Sequence, residues 1–334
     1  MRRVFIPLDV AEPQFPPAHA ISHTLSGKSM GTSWTVQLLC LPVHDAQELR
    51  AGIEAELDQV VMQMSTWDTS SHLCEFNRTP AHSWQSLPAE FFKLVDYSLY
   101  LSQQTGGAYD ITAGKLVDLW GFGPAGKREN KPTEAEISKT LQAGNWKSLE
   151  LDHMEQRLRQ TDNVALDLSS IAKGFALDQV ARYLDTQKIT SYLIELGGEL
   201  RGLGMKKDQS PWWVNIECPV ENDEKLDKEY LVALHGLSIA TSGDYRQFFE
   251  QGGRRYAHTL DPRTGYPVDN DLASVTVLHP ECMVADALAT ALTVLGCPAG
   301  LDFANQHQIA ALFLQRTASG FEEKMSQTLM AMLD

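Results

Sequence analysis

The stretch that most constrains this chain runs from Tyr256 to Gly296, YAHTLDPRTGYPVDNDLASVTVLHPECMVADALATALTVLG. Its last part predicts a helix opened by Pro280, closed by Gly296 and followed by Pro298, which is the usual start and stop chemistry. Met283, Val284, Ala285, Ala287, Leu288, Ala289, Ala291 and Leu292 make that helix apolar on nearly every side, so it should be buried. Asp286 nevertheless sits in its middle. A buried carboxylate is costly unless a cation or several donors compensate it. Thr290, one turn on, adds an oxygen to the same face. The pair suggests a small hard-cation site; an Asp paired with a distant Arg or Lys beside a filler Thr reads the same residues equally well.

The chain has 334 residues, 43% of them hydrophobic, enough for one large domain or two closely packed lobes. A formal net charge of −15 argues against a nucleic-acid-binding surface, so an anionic ligand needs a local site of backbone amides or a metal. Five scattered cysteines in no CxxC arrangement predict neither a disulfide framework nor a zinc site. No apolar run reaches the ~18 residues of a membrane span, and the N-terminus lacks the pattern of a signal peptide. The expectation is therefore a cytoplasmic protein.

In chain order, residues 1–20 read as a Pro-rich surface arm and 21–334 as a single domain. A strand spans about 21–41, broken near Gly27 and Gly31. An amphipathic helix covers 45–64, and Pro88 opens another. Thr133 and Glu136 form a capping box. A hairpin occupies 146–168, and Ser169 or Ser170 is expected to cap the next helix. The charged insert 219–229 reads as a hairpin loop between strands. The chain ends with a helix near 299–306, a strand at 309–314 and a helix from about Phe321. Hairpins mixed with helices favour an α+β fold with mixed, mainly antiparallel sheets in two packed lobes and a ligand cleft between them.

Several loops place small residues and hydroxyls beside one chemically able side chain. In TSGDY, Thr241, Ser242 and Gly243 suit a phosphate; an ordinary ST-turn with Asp244 as a helix cap reads the same residues. In DLSSIAKG, a helix start supplies amides and Lys173 a positive charge. His258, beside the turn DPRTG, is placed to take a proton from a hydroxyl or to be a structural His. Trp67, Tyr109 and Trp120 either stack on a planar heterocycle or fill the core. Neither GxGxxG after a strand nor a P-loop is present.

Taken in series, MGTSWTV, MSTWDTSSHLCEFNR, GAYDITAGKLVDLWGFG, DLSSIAKGFALD, ELGGEL, ATSGDY, HTLDPRTGYPV and ADALATALTVLG resemble the FAD:protein FMN transferase family, also called ApbE-type flavin transferases, over about residues 22–315. The resemblance implies a T-fold-related architecture and an enzyme that binds FAD with Mg²⁺ and transfers the FMN half to a Thr or Ser hydroxyl of an acceptor flavoprotein, releasing AMP. It implies Asp286, Thr290 and the Ala172 carbonyl as metal ligands. It also implies FAD contacts from Met30, Trp67, Ala108, Tyr109, Asp110, Ser169, Phe175 and Leu260. Thr241, Ser242 and Gly243 then match a loop near the pyrophosphate, and His258 the base for the acceptor hydroxyl; Lys173 comes from the residue reading alone, as a charge for an anion or a solvated charge. GGEL stands where GGD is commoner. A Mg²⁺-dependent FAD pyrophosphatase and a non-catalytic FAD carrier are the alternatives, because both use the same binding residues.

Overall fold

The computed structural model describes residues 2–8, 12, 15–128, 130–218, 220, 221, 224, 225, 229–243, 248–251, 254–318 and 320–334. Among them, eight strands form one sheet whose neighbours follow the order of the chain: Ile21–Ser29, Thr32–Cys40, Tyr192–Leu196, Glu199–Leu203, Leu237–Gly243, Leu272–His279, Ala310–Thr317 and Gly320–Met325. Every pairing is antiparallel.

Both faces of this sheet are covered, and the period of two along a strand sorts the side chains between them. Ala311 and Phe313 face the helices Ala46–Met64, Ala89–Gln104, Ala172–Thr186 and Cys282–Leu295. Ala310, Leu312 and Leu314 face a smaller sheet made of Arg2–Phe5, Glu229–Leu234 and Trp212–Asn215. This double burial explains why seven successive residues of Leu272–His279, Ser274 and Thr276 among them, are buried although the sheet is antiparallel. A third small core gathers Leu116, Trp120, Ile137 and Leu260. The cleft lies between that core and the main body, so the expected lobes and cleft are present.

Local chemistry accounts for most boundaries. Asp45 caps Ala46–Met64 by accepting from the Gln47 and Glu48 amides. The capping box of Thr133 and Glu136 forms on Glu134–Leu141. The break in the first hairpin falls at Met30 and Gly31, at φ 52° and 73°, the two left-handed positions a tight two-residue hairpin turn requires.

Three expectations change. Part of the predicted surface arm, Arg2–Phe5, is a strand parallel to Glu229–Leu234, with Phe5 fully buried; its partner is too distant in sequence for any local pattern to show it. Neither Ser169 nor Ser170 caps Ala172–Thr186: the preceding residue is Ile171, Ser169 bonds to Asp167 and Ser170 to the Tyr109 hydroxyl. The residues from Phe321 form the sheet's edge strand, because pairing with Ala310–Thr317 satisfies their backbone, and only Gln327–Ala331 is helical. In the charged insert, Val220–Glu221 pairs with Glu224–Lys225 as a hairpin would, and the rest of that insert, like Asp244, lies outside the described residues. Among the described residues, no helix is long and apolar enough to cross a membrane.

The seam between Ala172–Thr186 and Cys282–Leu295 is the tightest constraint near the cleft. A Cβ at Gly174 would lie 2.3 Å from the Cys282 carbonyl oxygen and 2.8 Å from the Asp286 Cβ, both on the facing helix. Gly174→Ala is therefore expected to lower the unfolding free energy by about 1–3 kcal/mol, read by urea denaturation; an unchanged midpoint would contradict this packing.

Candidate functional site

The helix Cys282–Leu295 has no side-chain cap of its own. Asp178, from the neighbouring helix Ala172–Thr186, supplies one: its two oxygens accept the Cys282 amide at 3.0 Å and the Met283 amide at 2.9 Å. Arg201 donates to Asp178 at 2.8 Å and to the Pro280 carbonyl, which ties the helix start to the sheet. Four residues beyond Cys282 the same seam recurs, where the Gly174 amide donates to Asp286 Oδ2 at 3.0 Å. One turn further on, Thr290 Oγ1 lies 3.0 Å from Ser242 Oγ, which the sheet strand Leu237–Gly243 provides. The neighbouring helix thus holds Asp286 and the sheet holds Thr290.

These groups open into a cleft of about 530 Å³. It is lined by Met30, Trp67, Ala108, Tyr109, Asp110, Ser169, Lys173, Thr241, Ser242, Gly243, His258, Leu260, Asp286 and Thr290. Of the residues singled out from sequence, Ala172 and Phe175 do not line it. Phe175 is 2% exposed within the main core, with the Arg182 guanidinium over its ring, and Ala172 is buried as the first residue of its helix. Trp120, a stacking candidate, is also core: its indole donates to the Gly265 carbonyl at 2.8 Å and its ring packs against Tyr256. Glu199 and Ser170 line the cleft as well and were not singled out. The departure GGEL was the available signal for Glu199.

The walls differ in character. Trp67 is 66% exposed on its loop, where only the backbone amide is fixed, by Ser65 Oγ. Tyr109 is buried, its hydroxyl 3.1 Å from Ser170 Oγ, and burial pushes that phenol well up. Asp110 accepts the Thr112 amide at 2.8 Å and the Trp146 amide at 3.0 Å. Its carboxyl is raised by burial, which those bonds only partly offset. Thr241 bonds across the ladder to Thr276 at 2.9 Å. The His258 ring meets Phe122 edge-on, with centroids 6.4 Å apart.

Charge is concentrated at the floor. Asp286 is raised by burial against the opposing pull of Lys173 and the Gly174 amide. Burial also pushes Glu199 up to about 7, although Lys173 pairs with it. Burial alone would lower Lys173, but the Asp286 and Glu199 carboxylates outweigh it and the ammonium is raised. One ammonium thus faces two carboxylates in a water-poor site.

That arrangement fits a cation. Among the described residues, no three His, Cys, Asp or Glu side chains group as a metal site. The floor instead offers the Asp286 carboxylate and the Thr290 hydroxyl. A sparse set of hard oxygen donors suits Mg²⁺, which keeps several positions for water and for substrate phosphates. Two buried carboxyl groups facing a single ammonium are the observation that favours it.

Comparison with known proteins identifies the family. The model of the ApbE family matches residues 30–313. The FAD:protein FMN transferase of Haemophilus influenzae is 38% identical over 309 residues, covering 91% of this chain and 89% of that protein. The FAD:protein FMN transferase of Vibrio cholerae is 37% identical over 305 residues, covering 91% and 90%. Among solved structures, the flavinyl transferase ApbE of Pseudomonas stutzeri superposes with a TM-score of 0.86 at 38% identity, covering 94% of this chain and 97% of that one. The flavin transferase ApbE of Vibrio cholerae gives 0.87 at 36%, covering 94% and 100%. With matches of this length to sequence and fold together, the chain belongs to the ApbE family.

Proposed function

We propose that this protein transfers the FMN moiety of FAD to a Thr or Ser hydroxyl of an acceptor flavoprotein and releases AMP. The observation that carries the reading is the convergence of Asp286, Thr290, Lys173 and His258 on one cleft that also offers the Trp67 and Tyr109 rings. The relatives named FAD:protein FMN transferase support the same reaction.

In this reading the flavin lies along the wall of Met30, Trp67, Ala108, Tyr109, Asp110, Ser169 and Leu260. The pyrophosphate meets Lys173 and the Thr241–Gly243 strand end. Asp286, Thr290 and the Ala172 carbonyl would hold Mg²⁺, with Ala172 contributing only its backbone oxygen. When bound, Mg²⁺ neutralises charge on the phosphate oxygens. His258 accepts the proton of the acceptor hydroxyl as its oxygen attacks the FMN phosphorus. The bond from that phosphorus to the bridging oxygen breaks, and the bridging oxygen leaves with AMP. Positioning supplies much of the rate, since the chain forms no covalent intermediate.

The cleft's reacting groups are also those a pyrophosphatase needs, and the difference is whether the acceptor hydroxyl or water attacks. Incubating the protein with FAD and Mg²⁺, with and without an acceptor flavoprotein, separates the two: a covalent FMN adduct by mass spectrometry is expected, and rapid FMN release without acceptor would favour hydrolysis. Asp286→Ala is expected to lose Mg²⁺-dependent transfer by roughly 10³-fold or more; full activity in that variant would remove the metal assignment. His258→Ala is expected to bind FAD as the parent does and to lose about 10²–10⁴-fold in transfer. Normal transfer at neutral pH by that variant would end its role as base.

A further inference from the structure

The chemistry above leaves Glu199 without a task. The turn at Gly197 and Gly198, at φ 63° and 105°, reverses the chain between Tyr192–Leu196 and Glu199–Leu203 and brings Glu199 to the cleft. Glu199 is 3% exposed. One carboxylate oxygen pairs with Lys173, while the other, Oε2, is buried with no hydrogen-bond partner. An orphaned buried oxygen is a cost to the fold. Packing gives no return for it, because a neutral side chain would fill the same space.

Lys173 faces Asp286 as well as Glu199. Without Glu199, the ammonium and Asp286 would balance. With Glu199 ionised, the buried group carries one surplus negative charge. Such a group repels a pyrophosphate and attracts a divalent ion; once the ion is bound, the same group carries one surplus positive charge and attracts the pyrophosphate.

We propose that Glu199 couples flavin binding to the cation: by holding Lys173 and adding a second buried negative charge, it weakens uptake of the FAD pyrophosphate into the metal-free cleft and strengthens uptake of Mg²⁺. The inference rests on the reading that Asp286 and Thr290 hold Mg²⁺. Glu199 acts through Lys173 and through its charge, touching neither phosphorus nor nucleophile, and is a positioning residue. By linkage, the help that the ion gives to FAD equals the help that FAD gives to the ion.

The test uses flavin-free, EDTA-treated full-length protein at about pH 8, above the value of about 7 to which burial pushes Glu199. Two calorimetric titrations are run separately, MgCl₂ alone and FAD in EDTA, so no turnover occurs. Glu199→Gln is expected to weaken Mg²⁺ binding about tenfold, the usual scale for a group behind a metal's direct ligands, and to tighten metal-free FAD binding several-fold. Glu199→Asp, which keeps the charge, should stay closer to the parent in both. Movement of the two affinities in opposite directions is a signature that loss of structure does not produce. Both falling together, neither moving, or Asp matching Gln overturns the proposal. Asp286→Ala run alongside separates the two readings: persistent Mg²⁺ binding there overturns the metal site itself, whereas its loss beside an unshifted Glu199→Gln overturns only the role of Glu199.

Discussion

The structure around the cleft depends on one contact, the Gly174 amide donating to Asp286 across a seam between two buried helices. An ionised group in that position is tolerated only if its surroundings are polar and fixed. Two features fix them. The missing Cβ of Gly174 lets the helices approach until the amide reaches the carboxylate, and the Asp178 cap, clamped by Arg201, sets the start of the helix that carries Asp286. Two further helix-start amides and a guanidinium are thereby satisfied at the same seam. A carboxylate that looks misplaced in an apolar helix is held still by the packing that makes it look misplaced.

The eight-stranded sheet performs the matching task on the other side of the cleft. Because its strands pair antiparallel in chain order, alternate connections fall at the same end. The turn at Met30 and Gly31, the turn at Gly197 and Gly198, and the strand end at Gly243 all lie there. The Gly197 amide bonds to the Ser33 carbonyl, which joins the first two of these turns directly. Burial on both faces makes the sheet rigid, so loops contributed from positions about two hundred residues apart meet with defined geometry. The rim is open to solvent, where the exposed Trp67 projects from a loop whose backbone amide donates to Ser65 Oγ.

Electrostatically the cleft is unusual for an acidic chain that must take up an anion. The net charge of −15 gives no long-range attraction for a pyrophosphate. Lys173 is raised by two carboxylates, so it stays charged but is already partly neutralised. The anion's binding energy then has to come from backbone donors, the ring walls and a cation. In the proposed function, the sparse oxygen set at Asp286 and Thr290 holds that cation, and the carboxylate of Glu199 lies behind it.

Much of this was legible in the linear chain. Caps at Asp45 and Thr133, the stop at Gly296 and the turn at Met30 and Gly31 are local chemistry, so their residues name the element directly. The order of motifs also sufficed to place the chain beside the flavin transferases, and most of the residues chosen on that basis line one cleft. What the chain could not disclose depended on partners distant in sequence. Arg2–Phe5 is a strand only because Glu229–Leu234 lies beside it, and the residues from Phe321 are a strand only because a sheet edge was available. Ser169 and Ser170 had the right chemistry for a cap but found Asp167 and Tyr109 instead. Phe175 belongs to the core although its neighbour Lys173 reaches the cleft, since two residues along a helix turn a side chain by about 200°. Composition and local chemistry determined that a carboxylate would be buried on an apolar helix. Only tertiary packing decided which amide, which ammonium and which second carboxylate would surround it, because those groups come from separate elements brought together by the burial of the sheet.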